Sequence, residues 1–336
     1  MDTRILLTTI EQVAILLTFI LIGYFFRRKE IINASGKKVL ASLLTWLFVP
    51  AYSIGSLMTE VTVGKFMGDY LPLFLAGAVV GVLGIFIGIP FAKLLGKDRF
   101  QENILKYTFT FGNIGYFGYP LIGAVFGSVA RAQMMFFCLP ITILIYTYGY
   151  YVLNCPADEG VERERRTMKQ KLSFLYSPMM FGVIIGITLG LLTSGLGFTL
   201  PNFFTDMVSK AGACQSAVAM LLTGAVLANV PFKKLFTSLK PYLVGIIRLI
   251  VYPAIFSILL LIVYLCGWTD QTFMRIAMVT LFVVGMPVGM NPVIFPEAAG
   301  KDSTEGAKMC FISCFLALIV IPIVYSIAMA ILTVTF

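Results

Sequence analysis

Apolar runs of roughly 20 residues, the length of helix that crosses a hydrocarbon core about 30 Å thick, follow one another along the chain with short polar breaks between them. Ten spans are predicted, at 5–26, 39–58, 70–95, 103–127, 132–153, 177–195, 207–229, 241–266, 273–299 and 307–334. They leave no segment for a soluble domain, so the predicted fold class is an all-α polytopic membrane protein of ten transmembrane helices. The first span is long for a signal peptide, carries Glu11 and is not followed by a clear small-residue cleavage site, and it is read as a retained helix.

Composition strengthens this picture and charge orients it. Of 336 residues 59% are hydrophobic and only 12% charged, where a soluble domain averages about 25% charged. The net charge of +9 could mean nucleic acid until its placement is traced. Clusters such as Arg27, Arg28 and Lys29, then Lys93, Lys97 and Arg99, then Arg163, Arg165 and Arg166, then Lys233 and Lys234 all fall in odd-numbered loops, which hold 19 basic residues against 5 in the even loops and at the termini. By the positive-inside rule the odd loops are cytoplasmic and both termini extracytoplasmic, in the inner (plasma) membrane of a cell. The expected partner of the basic surface is the lipid bilayer, and no nucleic-acid partner is expected. Most of the six cysteines lie in spans and Cys155 on the reducing side, so no disulfide framework is expected. Cys310 and Cys314 share a helical face, but with no histidine in the chain they read as packing and no metal site is predicted.

The longest polar connection, residues 154–176, divides the spans five and five. An odd number of helices per half makes the second half (177–336) enter the membrane from the side opposite to the first (1–153), the inverted arrangement of many secondary transporters. Two spans carry matching irregularities. The fourth contains "GNIGYFGYP" at 112–120, the ninth "VVGMPVGMNPVIFP" at 283–296. At a rise of about 1.5 Å per residue both interruptions fall near the bilayer midplane. Non-helical backbone is tolerated there only when buried in protein or lining a cavity, and each break creates a half-helix N-terminus that favours an anion. The alternative, that Gly112, Gly115 and Gly118 only permit close helix packing, weakens when two halves break at corresponding places, each with an asparagine beside the break.

"GNIGYFGYPL" with "GMPVGMNPVIFPEAAG", and "LFVPAYSIGSL" in the second span, resemble the auxin efflux carrier family of the bile/arsenite/riboflavin transporter superfamily. Its members include plant auxin exporters and bacterial carriers of malonate and malate. The resemblance covers the whole chain. It implies two inverted five-helix repeats, broken helices four and nine crossing at the substrate site, alternating access and outward transport. On that basis Asn113, Pro120, Pro287 and Asn291 match the motif positions, and with Gly112, Gly115, Tyr116 and Gly289 of the same breaks they are the substrate-binding candidates. Pro292 and Pro296 depart from the family's pattern after Asn291.

Glu11, Arg248 and Glu297 are candidate coupling or gating residues, because ionisable groups within a membrane are costly; each also has a bland reading, snorkelling for Glu11 and Arg248 and an i,i+4 pair with Lys301 for Glu297. Tyr146, Tyr148, Tyr150 and Tyr151 read as an interfacial belt outside the site. The fourth, fifth and ninth spans hold no acidic residue near the midplane, so a cation is a poor main substrate. The leading expectation is a secondary or facilitated carrier of mono- or dicarboxylates; the alternative is a sodium-coupled organic-anion symporter of the bile-acid type. An enzyme is not expected: a His-Glu-x-x-His site is impossible without histidine and the aspartates lie at termini, loops or span ends, although a Ser–Lys arrangement is not excluded by residue type. There is no P-loop, no cofactor is expected, and uniport, proton coupling, sodium coupling and a homodimer all stay open.

Overall fold

The computed structural model describes residues 3–153, 176–298 and 303–331. The 154–176 connection, apart from Tyr176, lies outside the described residues, as does Lys301. The helices are α1 (Thr3–Arg28), α2 (Ala34–Glu60), α3 (Val63–Leu95), α4 (Arg99–Thr110), α5 (Ile114–Leu153), α6 (Pro178–Leu196), α7 (Asn202–Leu227), α8 (Leu239–Leu265), α9 (Gln271–Val284), α10 (Asn291–Ala298) and α11 (Thr304–Ile331). Among the described residues there is no β-strand, and one isolated antiparallel bridge joins Gly112 to Val288.

Eight helical stretches are long and apolar enough to cross a bilayer, a number compatible with ten crossings for two reasons. Ile114–Leu153 would span roughly 60 Å if straight, twice the hydrocarbon thickness. It is not straight: at Gly127 the backbone takes φ 89°, ψ 178°, a conformation open mainly to glycine. A Cβ on Gly118 would lie 2.9 Å from the Met134 methyl, so the limbs 114–126 and 128–153 fold back on each other. The ninth span, in turn, is not one helix but α9 and α10 separated by the break.

Polar caps set several helix starts. Asn33 accepts from Gly36 N, Asp98 from Gln101 N, Ser177 from Met180 N and Asp270 from Phe273 N. They satisfy amides that a helix start leaves unpaired. These caps put the starts of α2 and α4 at Ala34 and Arg99, earlier than the predicted 39 and 103, because the first turns are polar and fall outside a hydropathy window. Four wide π-turns, at Leu44–Phe48, Phe66–Tyr70, Ile114–Gly118 and Ile247–Val251, each run directly into a helix with proline in its first turn: Pro50, Pro72, Pro120 and Pro253. Proline has no N–H and clashes with the carbonyl four residues back, and a widened turn relieves the clash without ending the helix.

Glycine lets helix backbones touch. Gly224 of α7 packs on the Ile20 carbonyl and Gly23 of α1 on the Leu221 carbonyl; Gly182, Gly186 and Gly190 of α6 lie along Pro50 to Val61 of α2; Gly77 of α3 meets Phe137 of α5; Gly245 of α8 faces Ser313 and Leu316 of α11. Thus α1, α2, α6 and α7 pack together, α3 packs on α4 and α5, and α8 on α9 and α11. The large core cluster runs through both groups around the breaks.

Candidate functional site

The fourth and ninth spans break and cross. After α4 the chain leaves helical geometry at Phe111 (φ −113°, ψ 115°), and Asn113 (φ −79°, ψ 62°) precedes the first limb of α5. After α9 the chain turns at Gly285, runs extended through Val288 and re-enters helix at Asn291. The two stretches run antiparallel: Asn113 N donates to Pro287 O at 2.8 Å and Gly289 N to Phe111 O at 3.2 Å. Val288 N is satisfied by Ser313 Oγ of α11 at 3.0 Å. Backbone groups that a broken helix exposes at membrane depth are thus paired across the break, as the absence of water demands. A side chain at Gly289 would be tight, since a Cβ would sit 3.0 Å from Phe111 O and 3.1 Å from Gly112 O.

Some carbonyls still lack a helical partner. Phe109 O would accept from Asn113 N, but that amide is committed to Pro287. Val283 O cannot receive the usual amide four residues on, because residue 287 is proline, and keeps a long 3.4 Å bond from Met286 N. Arg248 of α8, only 2% exposed, reaches both breaks: Nη1 donates to Phe109 O at 2.9 Å, Nε to Met286 O at 3.2 Å and Nη2 to Val283 O at 3.5 Å. Its guanidinium lies 5.1 Å over the Tyr252 ring, whose hydroxyl donates to Gly84 O at 3.0 Å. Arg248 makes no ion pair with an acidic residue among the described residues. Its counter-charge is the pair of helix C-termini at α4 and α9, each worth about half a negative charge. The snorkelling reading of Arg248 is therefore corrected: the side chain points into the protein, because the freed carbonyls solvate it there.

With the C-termini neutralised, the N-termini at Ile114 and Asn291 keep their partial positive charge, and the two asparagines stand beside them. Asn291 Nδ2 donates to the Tyr107 hydroxyl at 2.6 Å. Asn113 is 2% exposed and neither amide atom of its side chain has a partner. Alongside, Gln215 Nε2 of α7 donates to Gly115 O at 3.1 Å and Ser216 Oγ to Tyr116 O at 2.6 Å, while Gln215 Oε1 is buried without a partner. A cavity of about 20 Å³ beside Arg248, lined in part by Thr110, Gly112, Ile114 and Tyr252, has room for about one water. That cavity is too small for a carboxylate.

Of the candidates read from sequence, Gly112, Asn113, Pro287, Gly289 and Asn291 meet at the crossing, and Gly115, Tyr116 and Pro120 form the turn that follows on the first limb of α5. Glu11 is exposed on α1 and is not brought to the crossing. The side chain of Glu297 lies outside the described residues. Of the four tyrosines read as an interfacial belt, only Tyr150 and Tyr151 are exposed, and Tyr150 also meets Phe295 at 5.6 Å. Tyr146 and Tyr148 turn inward because α10 and the end of α4 cover them: Tyr146 meets Phe295 with centroids 6.0 Å apart, and Tyr148 meets Phe111 at 6.4 Å. Tyr107, Gln215, Ser216 and Ser313 were not singled out by sequence. The only available signal was polarity within apolar helices, as in "ACQSAV".

A family model described as "Membrane transport protein" matches residues 8–325. The chain is similar to an uncharacterized transporter of Methanocaldococcus jannaschii, 23% identical over 319 residues that cover 93% of this chain and 96% of that one. It is also similar to an uncharacterized transporter of Methanothermobacter thermautotrophicus, 21% identical over 316 residues with the same coverage of 93% and 96%. A multi-pass helical membrane protein whose spans break and cross in this way, matched by the family model over nearly its whole length, belongs to the membrane transport protein family of auxin efflux carriers and is a transporter, not an enzyme.

Proposed function

We propose that the protein moves small organic anions, mono- or dicarboxylates, across the membrane by alternating access, with the crossing of the two breaks as the substrate site. The observation that carries the reading is the charge balance there. Arg248 offsets both half-helix C-termini, while two half-helix N-termini and the unpartnered Asn113 amide remain. Half-helix N-termini directed at a carboxylate are an established way of binding anions at the midplane. In this reading α1, α2, α6 and α7 move against the remaining helices to enlarge the small space beside Arg248 for a solute.

The same proposal treats 1–153 and 177–336 as inverted repeats. Support comes from paired contacts on the two sides: α1 with α7 and α6 with α2; Gly77 of α3 on α5 and Gly245 of α8 on α11. Polar ties follow the pattern, Arg275 Nη1 of α9 with Asp69 Oδ1 of α3 at 2.8 Å, and Lys240 Nζ of α8 with Gln101 Oε1 of α4 at 2.6 Å. Outward transport rests on the family resemblance, and extracytoplasmic termini in the plasma membrane rest on the basic-loop count.

The test is thermal unfolding of the purified protein against a panel of mono- and dicarboxylates, in sodium and in choline salts. A ligand at about 100 times its Kd stabilises the folded state by about 2.7 kcal/mol. A carboxylate is expected to raise the melting temperature of wild type and not of Asn113→Ala. Stabilisation by sodium or an uncharged amphiphile alone would move the bile-acid-type symporter ahead.

A further inference from the structure

From the contacts of Arg248 we infer that its guanidinium is a tethered counter-ion, occupying the place at the crossing where a free monovalent cation would otherwise have to bind. Unwound carbonyls and half-helix C-terminal ends are the groups that coordinate sodium at the midplane of many secondary transporters. Here those groups, Phe109 O, Val283 O and Met286 O, come from both broken spans and all accept from one side chain, Val283 O sharing it with a long 3.4 Å bond from Met286 N. Several features mark the arrangement as built. Arg248 is 98% buried by its 2% exposure. It pairs with no acidic residue among those described. It sits in a π-turn, Ile247–Val251. Tyr252 stacks under the guanidinium and is itself held by Gly84 O. Gly112 leaves room for it, since a Cβ at that position would collide with Nη2.

A planar fork with five donors can serve several carbonyls at once, which an ammonium on a flexible stem cannot do in the same geometry. The consequence concerns coupling. A covalently held cation cannot be exchanged or carried, so the crossing binds its anion without recruiting sodium. This consequence rests on the reading of the crossing as the substrate site; the role of Arg248 in holding the two breaks together does not.

The experiment compares unfolding of purified wild type, Arg248→Ala, Arg248→Met and Arg248→Lys in sodium, potassium and choline chloride at equal ionic strength, with and without millimolar guanidinium. Wild type is expected to melt at the same temperature in all three salts. Arg248→Ala is expected to lose several degrees and to recover at least half of the loss with guanidinium or sodium, which leave wild type unmoved. A sodium-specific rise in wild type overturns the inference, as does an Arg248→Ala protein that no small cation restores. Where Arg248→Ala does not accumulate, Arg248→Lys accumulating above Arg248→Met supports a cation requirement, and equal accumulation of the two overturns it. The carboxylate titration of Asn113→Ala reads the substrate site separately: a carboxylate shift with a sodium-specific wild type retains the site and removes the tethered cation, and the reverse result does the opposite.

Discussion

Asn113 and Asn291 each stand beside a break, yet their energetic situations are opposite. Asn291 is the donor to a buried tyrosine hydroxyl, and removing it leaves Tyr107 short of that partner. Asn291→Ala is therefore expected to cost about 1–3 kcal/mol, read as a lower melting temperature. Asn113 already bears the penalty of two unpartnered amide atoms. Asn113→Ala is expected to leave stability within about 1 kcal/mol of wild type or to raise it, while abolishing any carboxylate-induced shift. In the proposed substrate site, this combination is the stability–function trade expected of a binding residue. The sequence showed both asparagines and their place beside the breaks, but not which one is satisfied, because Tyr107 lies in an ordinary-looking "KYTFTF". Arg248 was visible as a charge inside a span, but its partners are backbone carbonyls, which have no letter in a sequence. The same limit hid the difference between glycines. Gly289→Ala sets a Cβ against two backbone oxygens that cannot move aside, with an expected loss of about 2 kcal/mol or more. At Gly115 the nearest atom to a Cβ is Gln215 Nε2 at 3.9 Å, so Gly115→Ala is expected to stay within about 0.5 kcal/mol in an unfolding assay.

At the scale of elements the chain announced most of itself. Hydropathy marked the eight stretches long and apolar enough to cross a bilayer, since a helix in lipid needs a long apolar run and little else. What it marked poorly were the polar first turns held by Asn33 and Asp98 and the fold-back at Gly127, where one helical stretch of 40 residues is long enough for two crossings. The prolines were legible as irregularities, but their local outcome, four π-turns in place of four helix ends, depends on each helix being locked in position by its neighbours. That locking is glycine-based. In lipid no hydrophobic force drives helices together, and close backbone approach at small residues carries much of the association. Gly224→Ala, which places a methyl on the Ile20 carbonyl, is expected to part α1 from α7 and to remove most of the folded protein from a detergent extract, measured by size-exclusion yield. Gly64→Ala, with no neighbour within 4 Å of its Cβ, is expected to match wild type in the same assay.

For the whole molecule the question is which helices move together. The ties Arg275–Asp69 and Lys240–Gln101 join α3 to α9 and α8 to α4, all inside the group of helices that contains both breaks. The contacts of Gln215 and Ser216 with Gly115 and Tyr116 instead bridge that group to α7, which is packed with α1, α2 and α6. Alternating access by one group against the other must preserve the first kind of contact and break the second. In a background lacking reactive cysteines, a cysteine pair replacing Asp69 and Arg275 and bridged by a short bifunctional reagent is therefore expected to leave vesicle uptake of an identified carboxylate largely intact. The pair replacing Tyr116 and Ser216, bridged in the same way, is expected to stop uptake by an order of magnitude or more and to restore it when a cleavable bridge is cut. Equal inhibition by both bridges would mean that the helices of the crossing rearrange among themselves, and equal tolerance would mean that α7 travels with the breaks. This division could not be read from the sequence, because charge and hydropathy place helices across the membrane but say nothing about which of them share a face.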